Sequence, residues 1–266
     1  MNARSFLFVP GSRPERFVKA LQSGADAVII DLEDAVPAPA KSAARAAVAA
    51  WLSADRPVYV RVNGHDSKWH EEDMRAIAGR PGLRGIFLPK AQEPLRVAET
   101  AALLTGSVSL VPAIESAQGL WNALEMARCP RVERLGFGHL DFQRDLGIDG
   151  EGEEILFARS RLVFMSRLAG VGAPLDGITA NLEDEAKLRA DVDRARRLGF
   201  GGKLCIHPKQ VGPVNQGFLP SEKDVEWARK IVEAAEPAGG AMRVCGEMVD
   251  APVVARAQQI LKMIGS

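Results

Sequence analysis

Short apolar runs alternate along the chain with longer amphipathic stretches, and this pattern predicts alternating strands and helices. The apolar runs are mostly continuous, as expected for parallel strands that are buried on both faces. In the stretch 183–198, Leu188, Val192, Ala195 and Leu198 share one helical face, and Gly199 then ends the helix. Strands are predicted at 5–10, 27–32, 58–63, 85–90, 109–114, 134–140, 174–180 and 202–207. Helices are predicted at 13–22, 39–52, 69–78, 93–104, 116–128, 151–171, 183–198 and 221–236.

Eight strand–helix pairs favour an α/β fold of the TIM (β/α)8 barrel type with a C-terminal extension. A doubly wound open sheet is the alternative, but it seldom needs eight units, and no GxGxxG motif follows the first strand. The length of 266 residues fits one barrel with a small appendage. We therefore predict a catalytic barrel at 1–236 and a C-terminal lid segment with a helix at 237–266. In that segment a linker at 237–240 precedes an extended piece at 242–245 and a helix from about 252 to 264.

Composition narrows the class of protein. Apolar residues make up 47% of the chain. Lys+Arg and Asp+Glu both number 34, so the chain lacks the basic excess that nucleic-acid-binding proteins usually show. Cys129, Cys205 and Cys245 are odd in number and widely spaced, which favours neither a disulfide framework nor a zinc site. Neither a signal-peptide pattern nor an apolar stretch of membrane length is present. We expect a cytoplasmic protein without nucleic-acid or membrane partners.

Two acidic residues follow neighbouring predicted strands. Glu115 follows the strand at 109–114, and Asp141 follows the strand at 134–140. A carboxylate next to a buried strand needs a cation or a strong hydrogen-bond donor, and the carboxyl ends of barrel strands meet at one mouth. Two carboxylates without a cysteine or histidine cluster suit Mg²⁺, which keeps its other positions for water and substrate. The alternative is that each acid caps the next helix or pairs with an arginine.

Other charged residues follow the second and third strands. Asp31, Glu33 and Asp34 follow the second strand and could hold metal-bound waters, or they could cap a helix and form a surface ion pair. Arg61 ends the third strand, and its planar guanidinium suits a substrate carboxylate. A structural pair between Arg61 and the acids at 31–34 is the alternative, and both roles can hold at once.

Lys90 ends the fourth strand, where a lysine could form a Schiff base with a carbonyl substrate. The acids predicted beside it favour a charged amine with an electrostatic role instead. Among the histidines, His139 is predicted to point to the same side of its strand as Asp141, and it either joins the site or packs. His65 and His70 lie in a polar loop and are predicted to be solvated, and His207 is predicted to be structural.

A basic cluster, Arg13, Arg16 and Lys19, follows the first strand. Arg16 and Lys19 are neighbours on a helix surface because they are three residues apart. The cluster either holds a phosphate-bearing ligand or forms a solvated basic face.

With these residues in hand, nearly the whole chain resembles the citrate lyase β-subunit-like family, within the wider malyl-CoA lyase and HpcH/HpaI aldolase superfamily. The resemblance is specific because several sequence pieces occur in one order. The pieces are Arg4-Ser5-Phe6-Leu7-Phe8-Val9-Pro10-Gly11, Asp31-Leu32-Glu33-Asp34-Ala35-Val36, Val60-Arg61-Val62-Asn63, Leu88-Pro89-Lys90, Ala113-Ile114-Glu115-Ser116, Gly138…Asp141…Asp145-Leu146-Gly147, Gly202-Lys203…Ile206-His207-Pro208…Gln210 and Met248-Val249-Asp250-Ala251-Pro252.

The resemblance implies a TIM barrel that binds Mg²⁺ through Glu115 and Asp141. It implies that Arg61 contacts the 2-oxo acid part of the substrate. It also implies that Asp250, in the C-terminal segment, reaches the active site of a neighbouring subunit and exchanges a proton with the reacting carbon. Read from the residues alone, Asp250 is instead the cap of the last helix, because Ala251-Pro252 follows it.

The resemblance further implies that the residues near the basic cluster approach a coenzyme A moiety, and that the assembly is a homotrimer or a hexamer. The implied reaction is the reversible, Mg²⁺-dependent cleavage of a 3-hydroxy-3-carboxy acyl thioester into an acetyl thioester and a 2-oxo acid. Citramalyl-CoA, malyl-CoA and a citryl thioester on an acyl carrier protein all remain open as substrates. The alternatives are a class II aldolase that acts on pyruvate or another free 2-oxo acid and an aldehyde, and a non-catalytic binding subunit.

Overall fold

The predicted barrel is confirmed by the computed structural model, which describes residues 3–235, 242–244 and 247–264. Eight parallel strands pair in sequence order, and the eighth pairs with the first to close the barrel. The strands are β1 Ser5–Pro10, β2 Ala27–Asp31, β3 Val58–Arg61, β4 Leu83–Leu88, β5 Ser109–Ile114, β6 Arg134–Phe137, β7 Gly172–Asp176 and β8 Gly202–Cys205.

Helices follow the strands, as the repeat of apolar positions predicts. They are α1 Phe17–Leu21, α2 Lys41–Trp51, α3 His70–Ile77, α4 Pro94–Ala102, α5 Ala117–Trp121, α6 Ala123–Ala127, α7 His139–Leu146, α8 Leu156–Ala169, α9 Glu185–Leu198 and α10 Val211–Gly217. Short 3-10 turns lie at Pro14–Arg16, Ala38–Ala40, Glu153–Ile155 and Pro208–Gln210. In the described part of the chain, no helix combines the length and the apolar character that crossing a bilayer demands.

The inside of the barrel is filled by side chains from alternate strand positions, so the barrel is a packed core rather than a pore. The buried cluster there comprises Phe6, Ala27, Ile29, Tyr59, Phe87, Val111, Ala113, Leu175 and Leu204. The Phe6 and Tyr59 rings lie 5.3 Å apart, and the Tyr59 hydroxyl donates to Glu133 over 2.8 Å. This packing fixes the strand ends from which the polar side chains extend.

Two predicted boundaries were wrong near the site. β6 ends at Phe137, and residues 139–146 form α7, so Asp141 lies in the first turn of a helix rather than directly after a strand. β7 ends at Asp176, earlier than predicted. A run such as Gly138-His139-Leu140 carries too little periodicity to separate the end of a strand from the start of a helix.

A second compact unit comprises residues 216–266 and contains α11 (Glu222–Ala235), β9 (Met242–Val244), β10 (Glu247–Val249) and α12 (Ala251–Ile264). β9 and β10 pair antiparallel, and Ala228, Ile231, Val249 and Ala257 form the core of the unit. The sequence assigned α11 to the barrel and divided the chain at 236, whereas α11 shares this core with α12. Helical periodicity shows that a helix has an apolar face, but it does not identify the element against which that face packs. The predicted linker at 237–240 and Cys245 lie outside the described residues.

Candidate active site

A cavity of about 310 Å³ opens at the carboxyl ends of the barrel strands. Asp31, Asp34, Arg61, Glu115 and Asp141 all line it, so the structure brings together most of the side chains that the sequence singled out. The apolar residues around them include Phe8, Phe87, Phe137, Ile178, Leu204 and Ile206. The sequence analysis missed this aromatic lining, because these residues read there only as members of apolar strands.

Glu115 follows β5 and is only 7% exposed. Its Oε2 accepts a hydrogen bond of 2.9 Å from the backbone N–H of Lys90, and Lys90 adopts a φ of 53°. Burial, reinforced by the nearby charge of Glu33, raises the pKa of the Glu115 carboxyl to about 8, although Arg61 opposes the shift. The charge of Asp141 also contributes to this rise in pKa, so the two carboxylates repel each other electrostatically.

Gly138 makes room for Glu115. A Cβ atom on Gly138 would lie 2.4 Å from Cγ of Glu115 and 2.6 Å from its Oε1. The absence of a side chain at this position therefore lets β5 and the start of α7 approach closely enough to place Glu115 and Asp141 on the same cavity.

Asp141 is the more exposed of the two acids, with 28% of its side chain accessible. Its Oδ1 lies 2.9 Å from Nη2 of Arg144, one helical turn later. The position in the first turn of α7 also favours a negative charge, because the N-terminal end of a helix dipole is positive.

His139 and Asp141 lie in the first turn of α7 rather than on a strand as predicted, and both line the cavity. The ring is buried, lines the cavity, and its Nε2 lies 3.7 Å from Oε1 of Glu151. His65 and His70 are also not solvated as predicted. Their ring centroids lie 4.0 Å apart with the ring planes tilted by 35°, and Nδ1 of His70 lies 2.7 Å from the carbonyl oxygen of Asn63.

Arg61 forms the structural pair that the sequence left open. Its Nε and Nη2 donate to both oxygens of the fully buried Asp31, at 2.7 and 2.6 Å, and its Nη1 lies 3.1 Å from Oε2 of Glu33. The Asp31 oxygens also accept from the backbone N–H groups of Glu33 and Ala35. Burial opposes the Arg61 charge, but Asp31 and Glu33 outweigh burial and raise the pKa of the guanidinium. A permanently charged arginine is thus held rigidly at the wall of the cavity.

Lys90 contacts Glu33 through its ammonium group, which also lies 3.7 Å from Oδ1 of Asp34. Burial acts to lower the pKa of Lys90, but the hydrogen bond to Glu33 and the nearby acids raise it. The amine therefore stays protonated at neutral pH, which argues against Schiff-base chemistry. Glu33 is buried, and burial raises the pKa of its carboxyl in spite of Arg61 and Lys90.

Lys41 is a buried cation beside these acids, and the sequence analysis missed it. Its Nζ donates to the carbonyl oxygens of Leu32 and Glu33 at 2.8 and 2.7 Å, and to Oδ1 of Asn63 at 2.6 Å. These bonds anchor the segment that carries the acids after β2. One sequence signal could have revealed its burial. Lys41 begins the alanine-rich helix α2 and lies on the same helical face as the buried Ala44 and Val48.

The sequence also singled out the basic cluster and Asp250. Arg13, Arg16 and Lys19 are exposed and are not among the described residues that line the cavity. Asp250 belongs to the second unit, where it is exposed and its Oδ1 accepts a hydrogen bond of 3.3 Å from the N–H of Val253 at the start of α12. His207 is also a cap, because its Nδ1 accepts from the N–H of Lys209.

A closed parallel barrel with acids and an arginine gathered above the strand ends defines a barrel enzyme that works at its carboxyl-terminal face. The chain belongs to the HpcH/HpaI aldolase/citrate lyase family, whose profile matches residues 4–208. This result confirms the resemblance found in the sequence.

Individual relatives agree with the family assignment. The citrate lyase subunit beta-like protein of Deinococcus radiodurans is 39% identical over 97% of this chain and 96% of its own length. The (3S)-malyl-CoA thioesterase of Cereibacter sphaeroides is 34% identical over 97% of this chain and 93% of its own length. A crystal structure of the protein CitE from Mycobacterium tuberculosis, in complex with magnesium, acetoacetate and coenzyme A, is 31% identical and superimposes with a TM-score of 0.88 over 100% of this chain and 99% of CitE.

Proposed function

We propose that this chain is a Mg²⁺-dependent carbon–carbon lyase. It would cleave, reversibly, a 3-hydroxy-3-carboxy acyl thioester such as citramalyl-CoA, malyl-CoA or a citryl thioester into an acetyl thioester and a 2-oxo acid. The observation that carries the proposal is the meeting of Glu115, Asp141 and Arg61 on one cavity in a member of this family. The magnesium, acetoacetate and coenzyme A bound by the related CitE support the choice of metal and of substrate class.

The residues at the cavity fit a hard divalent cation. Glu115 is a desolvated carboxyl whose pKa is raised to about 8, and the second acid, Asp141, contributes to the rise. A cation would offset both the desolvation and the repulsion, and two carboxylates with no soft ligand are the donor set that Mg²⁺ favours. Glu115 and Asp141 would hold the ion, and Asp34, which lines the same cavity, would hold its waters. Asp31 and Glu33 would act indirectly, because their oxygens hold Arg61 and Lys90.

When bound, Mg²⁺ would supply Lewis-acid stabilisation of negative charge on the substrate oxygen. Arg61 would attract the adjacent substrate carboxylate by its fixed charge, since Asp31 and Glu33 restrain its planar group. Phe8, Phe87 and Phe137 would exclude water and so strengthen these charge interactions. In cleavage the hydroxyl would give its proton to solvent water, and its oxygen would become the carbonyl of the 2-oxo acid. The carbon–carbon bond would break, and its electron pair would form a thioester enolate. Asp250 of a neighbouring subunit would give a proton to the enolate carbon, and it would remove that proton in condensation.

We also propose a homotrimeric or hexameric assembly, because Asp250 needs a neighbouring subunit in this mechanism. The exposed basic cluster Arg13, Arg16 and Lys19 would approach the phosphates of coenzyme A. Free coenzyme A and the prosthetic group of an acyl carrier protein carry the same thioester arm, and both fit this proposal.

The deciding experiment is a panel of citramalyl-CoA, malyl-CoA and citryl-CoA incubated with the protein and Mg²⁺, with mass detection of the products. A 2-oxo acid together with an acetyl thioester supports the lyase. A free hydroxy acid and coenzyme A would instead indicate a thioesterase, and turnover only of a free 2-oxo acid with an aldehyde would indicate an aldolase. Calorimetry with coenzyme A separates the aldolase further, since an aldolase needs no coenzyme A site.

Mg²⁺ affinity is expected to depend steeply on pH. The metal-free Glu115 carboxyl keeps its proton up to about pH 8, so the ion must displace this proton. The apparent affinity should weaken about tenfold for each pH unit below 8, with about one proton released per ion. Calorimetry between pH 6 and 8, in two buffers of different ionisation enthalpy, measures both quantities. A pH-independent affinity would contradict the assignment of Glu115 as a ligand.

The titration of Glu115 should also make the stability of the metal-free protein decrease as the pH rises. A folded-state pKa raised from 4.5 to about 8 favours the folded state below pH 4.5, and this contribution is lost as the pH rises through 8. The melting temperature without metal should therefore fall across this window, and Mg²⁺ should raise it most at the alkaline end. Glu115→Gln is the matched control, because it removes the group that titrates.

Gly138→Ala is expected to weaken Mg²⁺ binding by about 10- to 100-fold without unfolding the barrel. The new Cβ would lie 2.4 Å from Cγ of Glu115, so the carboxylate must move away from its present place. Calorimetry with Mg²⁺ and circular dichroism measure the two effects. Gly79→Ala is the control, because nothing lies within 4 Å of a Cβ there, and equal affinities in both variants would contradict the role of Gly138.

A further inference from the structure

The cavity at the barrel mouth offers little positive charge. Of the described residues that line it, Arg61 is the one lysine or arginine. The acids of the lining are Asp31, Asp34, Glu115 and Asp141. Their negative charge exceeds the positive charge of Arg61 and a bound Mg²⁺ together, and Asp250, which the proposed mechanism adds from a neighbouring subunit, is acidic too. The cavity is therefore suited to one substrate carboxylate, held by Arg61 and the metal, and not to a second.

Hydrocarbon side chains surround the place where that carboxylate would lie. The Arg61 guanidinium lies 4.6 Å from the ring centroid of Phe8, and the Phe8 ring meets Phe87 edge to face, with their centroids 5.7 Å apart. Leu204 is buried in the same cluster, and Ile178 packs against it. We call Phe8, Phe87, Ile178 and Leu204 the apolar wall. A methyl group next to the substrate carboxylate would be stabilised by burial against this wall, whereas a second carboxylate would lose its hydration without gaining a partner.

Buried hydrogen bonds hold the apolar wall in place on both sides of Ile178. Lys203, which is only 1% exposed, donates from its Nζ to the carbonyl oxygen of Gly177 over 2.5 Å. Nε2 of the buried Gln210 donates to the carbonyl oxygen of Thr179 over 2.8 Å. A displacement of Ile178 that admitted water to the wall would strain these bonds, and a buried group that loses its partner is costly. The wall is thus a fixed apolar surface.

The three candidate substrates differ in one group on carbon 3, the carbon that also carries the hydroxyl and the carboxylate. This group is hydrogen in malyl-CoA, methyl in citramalyl-CoA and carboxymethyl in citryl-CoA. We propose that the apolar wall selects the methyl group, so that the chain cleaves citramalyl-CoA to pyruvate and acetyl-CoA in preference to the other two. This inference rests on the lyase function proposed above. The same carbon–carbon bond breaks in all three substrates and the selected group stays on the 2-oxo acid, so the preference arises from its fit to the wall.

Cleavage rates of the three thioesters are the first test. The kcat/KM for citramalyl-CoA should exceed that for malyl-CoA by about 10-fold, the effect of one extra methyl group in an apolar pocket, and that for citryl-CoA by at least about 100-fold. A citryl-CoA value within about 10-fold of the citramalyl-CoA value, or malyl-CoA as the best substrate, would overturn the proposal.

Binding of free 2-oxo acids tests the apolar wall without turnover. In calorimetry with Mg²⁺, 2-oxobutyrate should bind at least about 10-fold more tightly than freshly dissolved oxaloacetate, because the two acids differ only in a terminal methyl or carboxylate group. If no thioester is cleaved, the lyase function fails, and this pair of affinities still decides whether the wall selects an alkyl group. Oxaloacetate bound as tightly as 2-oxobutyrate would overturn the selection.

A cation placed at the cavity should shift the preference towards the second carboxylate. Ile178→Lys and Ile206→Lys each put an amine at a partly exposed lining position, and each should raise the ratio of oxaloacetate to 2-oxobutyrate affinity at least about 10-fold. Leu182→Lys is the matched control, because Leu182 is 40% exposed but is not among the described residues that line this cavity. Melting temperatures show that each variant is folded. Unchanged ratios in both folded lining variants, or an equal rise in the control, would overturn the proposal.

Discussion

Glu115→Gln is expected to lower Mg²⁺-dependent turnover at least about 1000-fold, because it removes the desolvated carboxylate that the proposed ion requires. The amide has nearly the same volume, and its oxygen can still accept the hydrogen bond from the backbone N–H of Lys90. The cavity and the fold should therefore persist. The loss of turnover would then result from the missing negative charge and not from a change in packing.

The same substitution should stabilise the metal-free protein. Ionised Glu115 is unfavourable in the folded state, as its pKa of about 8 shows, so the neutral amide should raise the free energy of unfolding above pH 8 by up to a few kcal/mol. Mg²⁺ should no longer raise the melting temperature of the variant. Lower activity with higher stability in one protein is a combination that a merely structural acid would not produce.

Asp141→Asn should cause a similar loss of turnover with a smaller change in stability, because Asp141 is partly exposed. Asp145→Asn on the same helix is the matched control, since its side chain can still accept the hydrogen bond from the N–H of Ala117. Turnover and Mg²⁺ affinity are measured for all three variants. Wild-type rates for Glu115→Gln or Asp141→Asn at saturating Mg²⁺ would refute the metal assignment.

The barrel could be predicted because its signals are local and repeated. Each buried parallel strand is a short apolar run, and each helix shows one apolar face, so errors at single boundaries left the order of elements intact. Convergence of Glu115, Arg61 and Asp31 followed from topology alone, since parallel barrel strands all end at one mouth. Asp141 also lines this cavity, but it extends from the first turn of α7 and not from the end of a strand.

The partners of the polar groups could not be predicted, because they depend on tertiary distances. The sequence left Arg61 open between a substrate carboxylate and a structural pair, and only the structure shows two hydrogen bonds from Arg61 to Asp31. It gave no reason to expect contact between the rings of His65 and His70, since polarity around a histidine says little about its burial. The assignment of α11 failed for the same reason, because periodicity does not identify the element that a helix packs against.

Asp250→Asn is expected to lower turnover by several orders of magnitude with little change in Mg²⁺ affinity or stability. The structure shows the residue at the start of α12, where its Oδ1 accepts from the N–H of Val253, and this contact alone suggests a capping role. Asparagine caps a helix as well as aspartate does but cannot give or take a proton at its side chain, so this substitution separates the two roles.

Asp250→Ser is a second variant that keeps the cap, whereas Asp250→Ala should cost about 1 kcal/mol of stability. An unaltered rate in Asp250→Asn, or a rate that follows stability across the three variants, would remove the residue from the mechanism.

A mixing experiment tests whether Asp250 acts across a subunit boundary. Glu115→Gln chains keep an intact Asp250, and Asp250→Asn chains keep an intact Glu115, so each homogeneous assembly should be inactive. If the acid comes from a neighbouring subunit, assemblies re-formed from an equal mixture should contain some sites with both wild-type groups, roughly a quarter for random association in a closed ring. If both groups come from one chain, every site in every mixture lacks one of them, and turnover should stay at the level of the separate variants. Recovery of activity on mixing therefore requires both Glu115 at the barrel mouth and Asp250 from the next subunit, which neither single variant can establish.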